Sequence, residues 1–264
     1  MGKTFSPDSP ARSTIFGSGE GVDSVIRRRP VAVVCDMDGL LVDSERLERR
    51  IWQAAAGNHD VEMSDDRFAS FVGHPAEECD RLLGHYYGEA FDVSGFRTAC
   101  HRRMRAIVEM EGVPLRPGAR EWIEFVRDLD IPLGLATSSA PALVRERLGD
   151  LVSVFSAVVT RADVARGKPH PDLYLEAATR LGAAPDASLA LEDSPTGAQA
   201  ALAAGMPVVV VPDLVPVPPN VSALAAGVFD SLHAVRVAAA HAWGNGRTLS
   251  DGASISYGLH RRPI

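Results

Sequence analysis

Two acids two residues apart, Asp36 and Asp38, stand at the end of an apolar run and are followed by Gly39. Residues two apart in an extended chain point the same way, so both carboxylates can face one pocket, while Gly39 lets the chain turn sharply behind them. Adjacent acids repel an anion but hold a cation, and hard oxygen ligands favour Mg²⁺ over zinc or copper. With the metal in place, a phosphate can approach. A lone D-x-D-G also occurs as a turn or a structural cation loop, so its meaning depends on what other segments bring beside it.

Three further segments have the same character. Thr137-Ser138-Ser139 follows an apolar run and precedes a helical pattern, where a hydroxyl and free backbone N–H groups can hold phosphate oxygens. Ser and Thr in that place also serve as helix N-caps. In Gly167-Lys168-Pro169 a lysine is fixed between a flexible and a stiff residue, a setting suited to a positioned charge that neutralises a phosphoryl group and a nearby carboxylate. Glu192-Asp193-Ser194 places two more acids behind an apolar run. Asp193 is expected as a metal ligand; Glu192 either joins it or holds a neighbouring donor.

The elements that must position these groups alternate along the chain. Strands are expected at Val31–Cys35, Leu133–Ala136, Ala157–Val159, Leu189–Leu191 and Val208–Val211, each nearly all apolar, as strands buried on both faces should be. Helix signals follow most of them: Pro141 and Pro195 behind Ser139 and Ser194 as N-caps, and Pro171-Asp172 opening a stretch to Leu181. An alanine cluster at 198, 200, 201, 203 and 204 allows close packing on the sheet before Gly205 stops the helix. The class is therefore α/β, a parallel sheet with helices on both faces, and its ligands lie beyond the carboxyl ends of the strands. About seventy residues between the first two strands read instead as helices, at Ser44–Ala56, Asp65–Val72, Ala76–Tyr87 and Ser94–Met110, the last with Phe96, Cys100, Met104 and Ile107 on one face. The expected organisation is a core of 30–43 and 114–243, a helical insertion of 44–113, and disordered tails at 1–29 and 244–264.

Composition bounds the partners. The chain has 264 residues, a formal net charge of -7 and 46% hydrophobic residues, so it is long enough for a main domain carrying a smaller one. The acidic balance offers a nucleic-acid backbone or an anionic membrane surface no general attraction, and no window is long and apolar enough for a membrane span. Arg27–Arg29 reads as a solvated lead-in to the first strand. The three cysteines, Cys35, Cys79 and Cys100, are too scattered for a disulfide framework, and with no leader-like apolar run a cytoplasmic monomer or homodimer is expected.

The ordered set Asp36-x-Asp38-Gly39-x-x-x-Asp43-Ser44-Glu45, Thr137-Ser138-Ser139, Lys168-Pro169 and Glu192-Asp193-Ser194 resembles the haloacid dehalogenase superfamily over about residues 31–212. The helical insertion falls where the type-1 cap of its phosphoglycolate phosphatase and β-phosphoglucomutase branch lies. The resemblance implies a Rossmann-like core with a small helical cap, and a Mg²⁺-dependent phosphatase acting on a small phosphorylated metabolite, a sugar phosphate above all, through an aspartyl-phosphate. It implies Asp36 as nucleophile and Asp38 as acid/base. Thr137, Ser138 and Lys168 would hold phosphate, and Asp36, the Asp38 backbone carbonyl and Asp193, with Glu192 beside them, would form the metal site.

Two alternatives stand beside this reading, a phosphosugar mutase and a non-catalytic binding protein. The intact acids, lysine and hydroxyl argue against the binder. Asp38 argues against dehalogenation, because halide departs without a general acid. Mutases of the branch carry a cap histidine twelve residues beyond the nucleophile and an arginine after a cap glycine; here those places read Glu48 and, after Gly73, His74-Pro75-Ala76-Glu77. Acids there would repel a second phosphate, which favours hydrolysis. His59, His85, His101 and His170 lack zinc spacing, Tyr86 and Tyr87 read as packing residues, and Cys35 reads as a small core residue.

Overall fold

Short, almost wholly apolar runs are stable only where both faces are covered, and here they form the centre of one sheet. In the computed structural model, which describes residues 26, 28–72 and 76–243, the strands are β1 (Val33–Cys35), β2 (Leu133–Ala136), β3 (Ala157–Val159), β4 (Leu189–Glu192), β5 (Val208–Val210) and β6 (Gly227–Val228). Their order is β3-β2-β1-β4-β5-β6, all parallel, with Val34 of β1 between Gly134 and Ala190. This is the Rossmann-like α/β sheet expected from the sequence. The first strand is shorter than expected: Val31 is exposed and its N–H bonds to the Ala187 carbonyl outside the ladder. β6 was not anticipated, because two residues at a sheet edge make no apolar run.

The helices are α1 (Ser44–Gly57), α2 (Asp65–Ala69), α3 (Ala76–Tyr87), α4 (Val93–Glu111), α5 (Ala119–Asp128), α6 (Pro141–Leu148), α7 (Asp172–Leu181), α8 (Pro195–Ala203), α9 (Pro219–Ser222) and α10 (Leu232–Trp243). Two apolar clusters sandwich the sheet. Trp122, Val126, Val144, Leu148, Val235 and Trp243 of α5, α6 and α10 cover one face. Leu173, Tyr174, Ala177, Ala198 and Ala201 of α7 and α8 cover the other. The alanines let α8 lie close to the strands, and Gly205 follows it with φ 73°.

Helices α1 to α4 pack around their own cluster, in which Trp52 meets Phe68, Phe71 and Phe96 at ring-centroid distances of 5.7, 5.1 and 5.5 Å. The expected face of α4 is the packed one: Phe96 and Cys100 are buried, Met104 and Ile107 partly so. The chain leaves and re-enters the sheet layer side by side. The Asp43 N–H donates to the Pro114 carbonyl at 2.8 Å, the Arg116 N–H to the Leu41 carbonyl at 2.9 Å, and Val42 bridges Leu115 antiparallel. The expected tails lie outside the described residues except at 26, 28 and 29, as do Gly73, His74 and Pro75.

Candidate active site

The carboxyl ends of β1 and β4 deliver three carboxylates to one place. Asp36 follows β1, its N–H held by the Leu191 carbonyl at 3.0 Å. Glu192 ends β4 and Asp193 follows it; all three are buried, and each offers an oxygen within 4.8 Å of the others. Lys168 reaches in from the β3–α7 connection. Its ammonium contacts Asp36 Oδ1 and lies 2.5 Å from Glu192 Oε1.

Both oxygens of Glu192 are occupied. Oε1 also accepts from the Tyr174 hydroxyl at 2.6 Å, and Oε2 accepts from the N–H groups of Asp193 and Ser194 at 3.1 and 3.3 Å and from the Ser194 hydroxyl at 3.1 Å. Ser194 caps α8 as expected, accepting from the Gly197 N–H at 3.1 Å. A Cβ on Gly197 would run into the Glu192 carboxylate. Gly197→Ala should therefore displace Glu192 and, with it, Lys168, costing about 1–3 kcal/mol of stability and at least ~10-fold in turnover. A urea melt and a turnover assay on the same preparation check this, and wild-type values in both would refute it.

The electrostatics leave room for a cation. Burial pushes the carboxyls of Asp36 and Asp193 well above the ordinary range, and each is raised further by neighbouring carboxylates. Burial works against the Lys168 charge, but Asp36 and Glu192 overcome it and hold the ammonium above its usual value. Three buried carboxylates thus share one ammonium, a donor set of hard oxygens that fits a divalent cation such as Mg²⁺. Gly39 turns the chain here with φ 78°, and any Cβ at that position would collide with the Asp193 carboxylate. A second acidic group, Glu45, Asp193 and Asp213, adjoins the first. Asp213 is ion-paired with Arg46 and Arg116 at 2.5 and 2.6 Å, and burial, with Asp213 next, pushes Glu45 up to about 7.

Asp38 takes different partners from Asp36. Its Oδ1 accepts from the Ser44 hydroxyl at 2.7 Å and from Arg147, and its Oδ2 from the Ser139 hydroxyl at 2.7 Å. Asp38 bridges Val42, the chain turns at 39–41 with the N–H groups of Leu41 and Val42 both bonded to the Met37 carbonyl, and Asp38 lies close enough to raise the Asp36 carboxyl. One sequence expectation changes here. Ser139 is not the N-cap of α6: Ala140 holds that place without a side-chain bond, and the hydroxyl goes to a carboxylate instead, the stronger acceptor. Thr137 is buried and its hydroxyl accepts from the Ser139 N–H at 3.0 Å, while Ser138 is exposed.

A cavity of about 650 Å³ opens between the insertion and the sheet domain, lined in part by Glu48, Trp52, Arg97, Ser138, Ser139 and Arg147. Arg147 joins its two walls, contacting Asp38 and pairing with Glu48 Oε1 at 2.8 Å. Sequence reading did not single out Arg147 or Tyr174. Val144, Arg147 and Leu148 share one face of α6, and this spacing was the available signal. Among the described residues no candidate metal group contains a histidine; His59 packs near Phe91 and Phe96 at 5.7 and 5.9 Å. Cys35 is a buried core residue whose thiol burial pushes up to about 12.

A parallel α/β sheet with buried acids and a lysine at its strand ends, and a helical insertion above them, defines a class of hydrolytic enzyme. The profile of haloacid dehalogenase-like hydrolases matches residues 31–205, and the chain belongs to that family. It is 33% identical over 177 residues to a phosphorylated carbohydrates phosphatase of Thermotoga maritima, covering 66% of this chain and 82% of that one. It is also 33% identical over 190 residues to hexitol phosphatase B of Escherichia coli, covering 70% and 85% respectively. Among solved structures, a HAD family hydrolase from Deinococcus radiodurans with bound phosphate and sodium superposes with a TM-score of 0.69 at 29% identity, covering 80% of this chain and 96% of that one. No described helix is long and apolar enough to cross a membrane.

Proposed function

We propose that the protein is a Mg²⁺-dependent phosphatase that hydrolyses a small phosphorylated metabolite of the sugar-phosphate class through an aspartyl-phosphate on Asp36. The observation that carries this is the ammonium of Lys168 held between Asp36 and Glu192 beside Asp193. The relatives named above, a phosphorylated carbohydrates phosphatase and a hexitol phosphatase, support the enzyme class and the substrate class.

In this reading Asp36, the Asp38 backbone carbonyl and Asp193 hold the metal, and Glu192 beside them keeps Lys168 aimed. When bound there, the ion screens the charge of the phosphate and so lets a carboxylate approach it. An oxygen of Asp36 forms a bond to phosphorus as the ester P–O bond breaks, while Asp38 gives its proton to the departing alkoxide. Water then attacks phosphorus, Asp38 takes a proton from it, and the bond to Asp36 breaks to release inorganic phosphate. Lys168, Thr137 and the backbone at Ser138 hold the phosphoryl oxygens. Hydrolysis is preferred to mutase chemistry because Glu48 stands on the cavity wall in an ion pair with Arg147, which leaves that guanidinium satisfied rather than free for a second phosphate.

The test is release of inorganic phosphate, with Mg²⁺, across a panel of sugar and polyol phosphates and 4-nitrophenyl phosphate. Turnover of at least one metabolite supports the reading; a folded protein that turns over none overturns it. Metal dependence has its own check in Asp193→Asn. Because burial and Asp36 disfavour the Asp193 charge, the metal-free variant should melt above metal-free wild type, by about 2–4 °C for ~1 kcal/mol. Added Mg²⁺ should raise the wild-type midpoint and leave that of the variant unmoved. Equal Mg²⁺ shifts in the two proteins would remove Asp193 from the metal site.

A further inference from the structure

The cavity between the insertion and the sheet domain is where the group esterified to the phosphate must lie, since Ser139 and Arg147 on its wall are the partners of Asp38. Its two least exposed cations are already paired. Arg97 stacks on Trp52 at 4.8 Å and bonds Asp80 at 2.7 Å, and Arg147 spans Asp38 and Glu48. With these two cations neutralised, and the exposed His101 and Arg105 beside them on the wall, the inner part of the cavity suits a leaving group without a second anion.

Arg147 and Glu48 offer such a group something specific. A guanidinium has five N–H donors in a fixed plane and a carboxylate has two acceptor oxygens. The Arg147 side chain is 10% exposed, and its Nη1 and Nη2 are committed to different carboxylates, which fixes the plane of the fork. A donor and an acceptor held side by side match a hydroxyl, which both donates and accepts. Arg147 also touches Asp38, the group proposed to protonate the ester oxygen. A hydroxyl one carbon away from the ester carbon lies about 3 Å from that oxygen, a hydrogen-bond spacing.

We infer that the Arg147–Glu48 ion pair is the specificity-determining element of the site, and that it selects phosphate monoesters of uncharged polyols bearing a hydroxyl on the carbon next to the ester carbon. The inference rests on the phosphatase reading. The pair joins α6 to α1, so it also requires the insertion to be seated on the sheet domain. Neither residue touches Asp36, Lys168 or Asp193 in the described contacts, so the pair discriminates among leaving groups while the phosphoryl site stays the same.

The test compares kcat/KM for two alkyl esters, glycerol 3-phosphate and n-propyl phosphate, which differ in the neighbouring hydroxyls. Wild type should prefer glycerol 3-phosphate by about 10- to 100-fold, as expected for hydrogen bonds to charged groups. In Arg147→Met and in Glu48→Gln the ratio should fall to within about threefold of one, whatever the absolute rates, and Arg147→Lys should restore part of it. Because the ratio is taken within one protein, a general loss of activity or stability cancels. A wild-type ratio near one, or a ratio that survives both substitutions, overturns the inference and leaves the phosphatase reading standing. If folded, Mg²⁺-supplied wild type releases no phosphate from either ester, from 4-nitrophenyl phosphate or from the metabolite panel, the phosphatase reading itself fails.

Discussion

Asp36→Asn protein, folded and supplied with Mg²⁺, should release inorganic phosphate at a rate indistinguishable from the buffer blank, a loss of about 10⁴- to 10⁶-fold for removal of the proposed nucleophile. The amide is nearly the same shape as the carboxylate but is a far weaker nucleophile, and it presents one oxygen where the acid presents two. The fold should not suffer. Asp36 is buried with its charge disfavoured by that burial first of all, so a neutral amide relieves a cost while Lys168 keeps Glu192 as a partner at 2.5 Å. The expected signature is thus a dead enzyme with a melting midpoint at or above that of metal-free wild type. Mass spectrometry of wild type quenched during turnover should find one added phosphoryl group on the peptide containing Asp36, and the variant should carry none. Phosphate release by the variant within tenfold of wild type would remove residue 36 from the chemistry.

Lys168→Met should do the opposite to stability and the same to activity. The lysine is 6% exposed and answers two carboxylates, of which Glu192 is wholly buried. Removing it leaves both without their cation, and breaking a buried pair in this way costs about 3–5 kcal/mol. That is a large part of the 5–15 kcal/mol by which a domain is ordinarily stable. Loss of one positioned charge at a transferring phosphoryl group adds a drop of about 10²- to 10³-fold in kcat. Urea denaturation gives the first number and initial rates on protein below its unfolding transition give the second. Arginine should not rescue the variant, because the planar fork needs more room than the point charge that now fits between Asp36, Glu192 and the Tyr174 ring at 5.4 Å. A Met variant as stable as wild type would show that the three-way contact carries no weight.

The sheet was readable because its strands are buried on both faces, which makes each a run of apolar residues followed at once by polar ones. The same pattern marked Asp36 and Asp193, and the Gly167-Lys168-Pro169 setting marked Lys168; the structure brings the three together. Glu192 was left between two roles, and its contacts with Lys168, Tyr174 and Ser194 account for both of its oxygens. The residues around Asp38 were harder to see for a physical reason. Ser139 sits before a helix, where a hydroxyl ordinarily caps, and only the fold reveals that a carboxylate competes for it. Arg147 is one of two arginines on a short helix, and which of them faces inward depends on how α6 rolls against the sheet. Tyr174 is buried like any core aromatic, and nothing local betrays that its hydroxyl meets a charge.

The pairing of the two connecting segments, Asp43 with Pro114 and Leu41 with Arg116, has an evolutionary corollary. Because departure and return occupy adjacent positions on one rung, everything strung between them behaves as an exchangeable cassette: a replacement of another length or sequence needs only to bring its ends equally near. Asp36 after β1, Glu192 and Asp193 at the end of β4, and the segment bearing Lys168 lie outside that cassette. Lineages sharing this scaffold can therefore alter selectivity by rewriting the cassette, Glu48 included, against an unchanged Arg147 on α6.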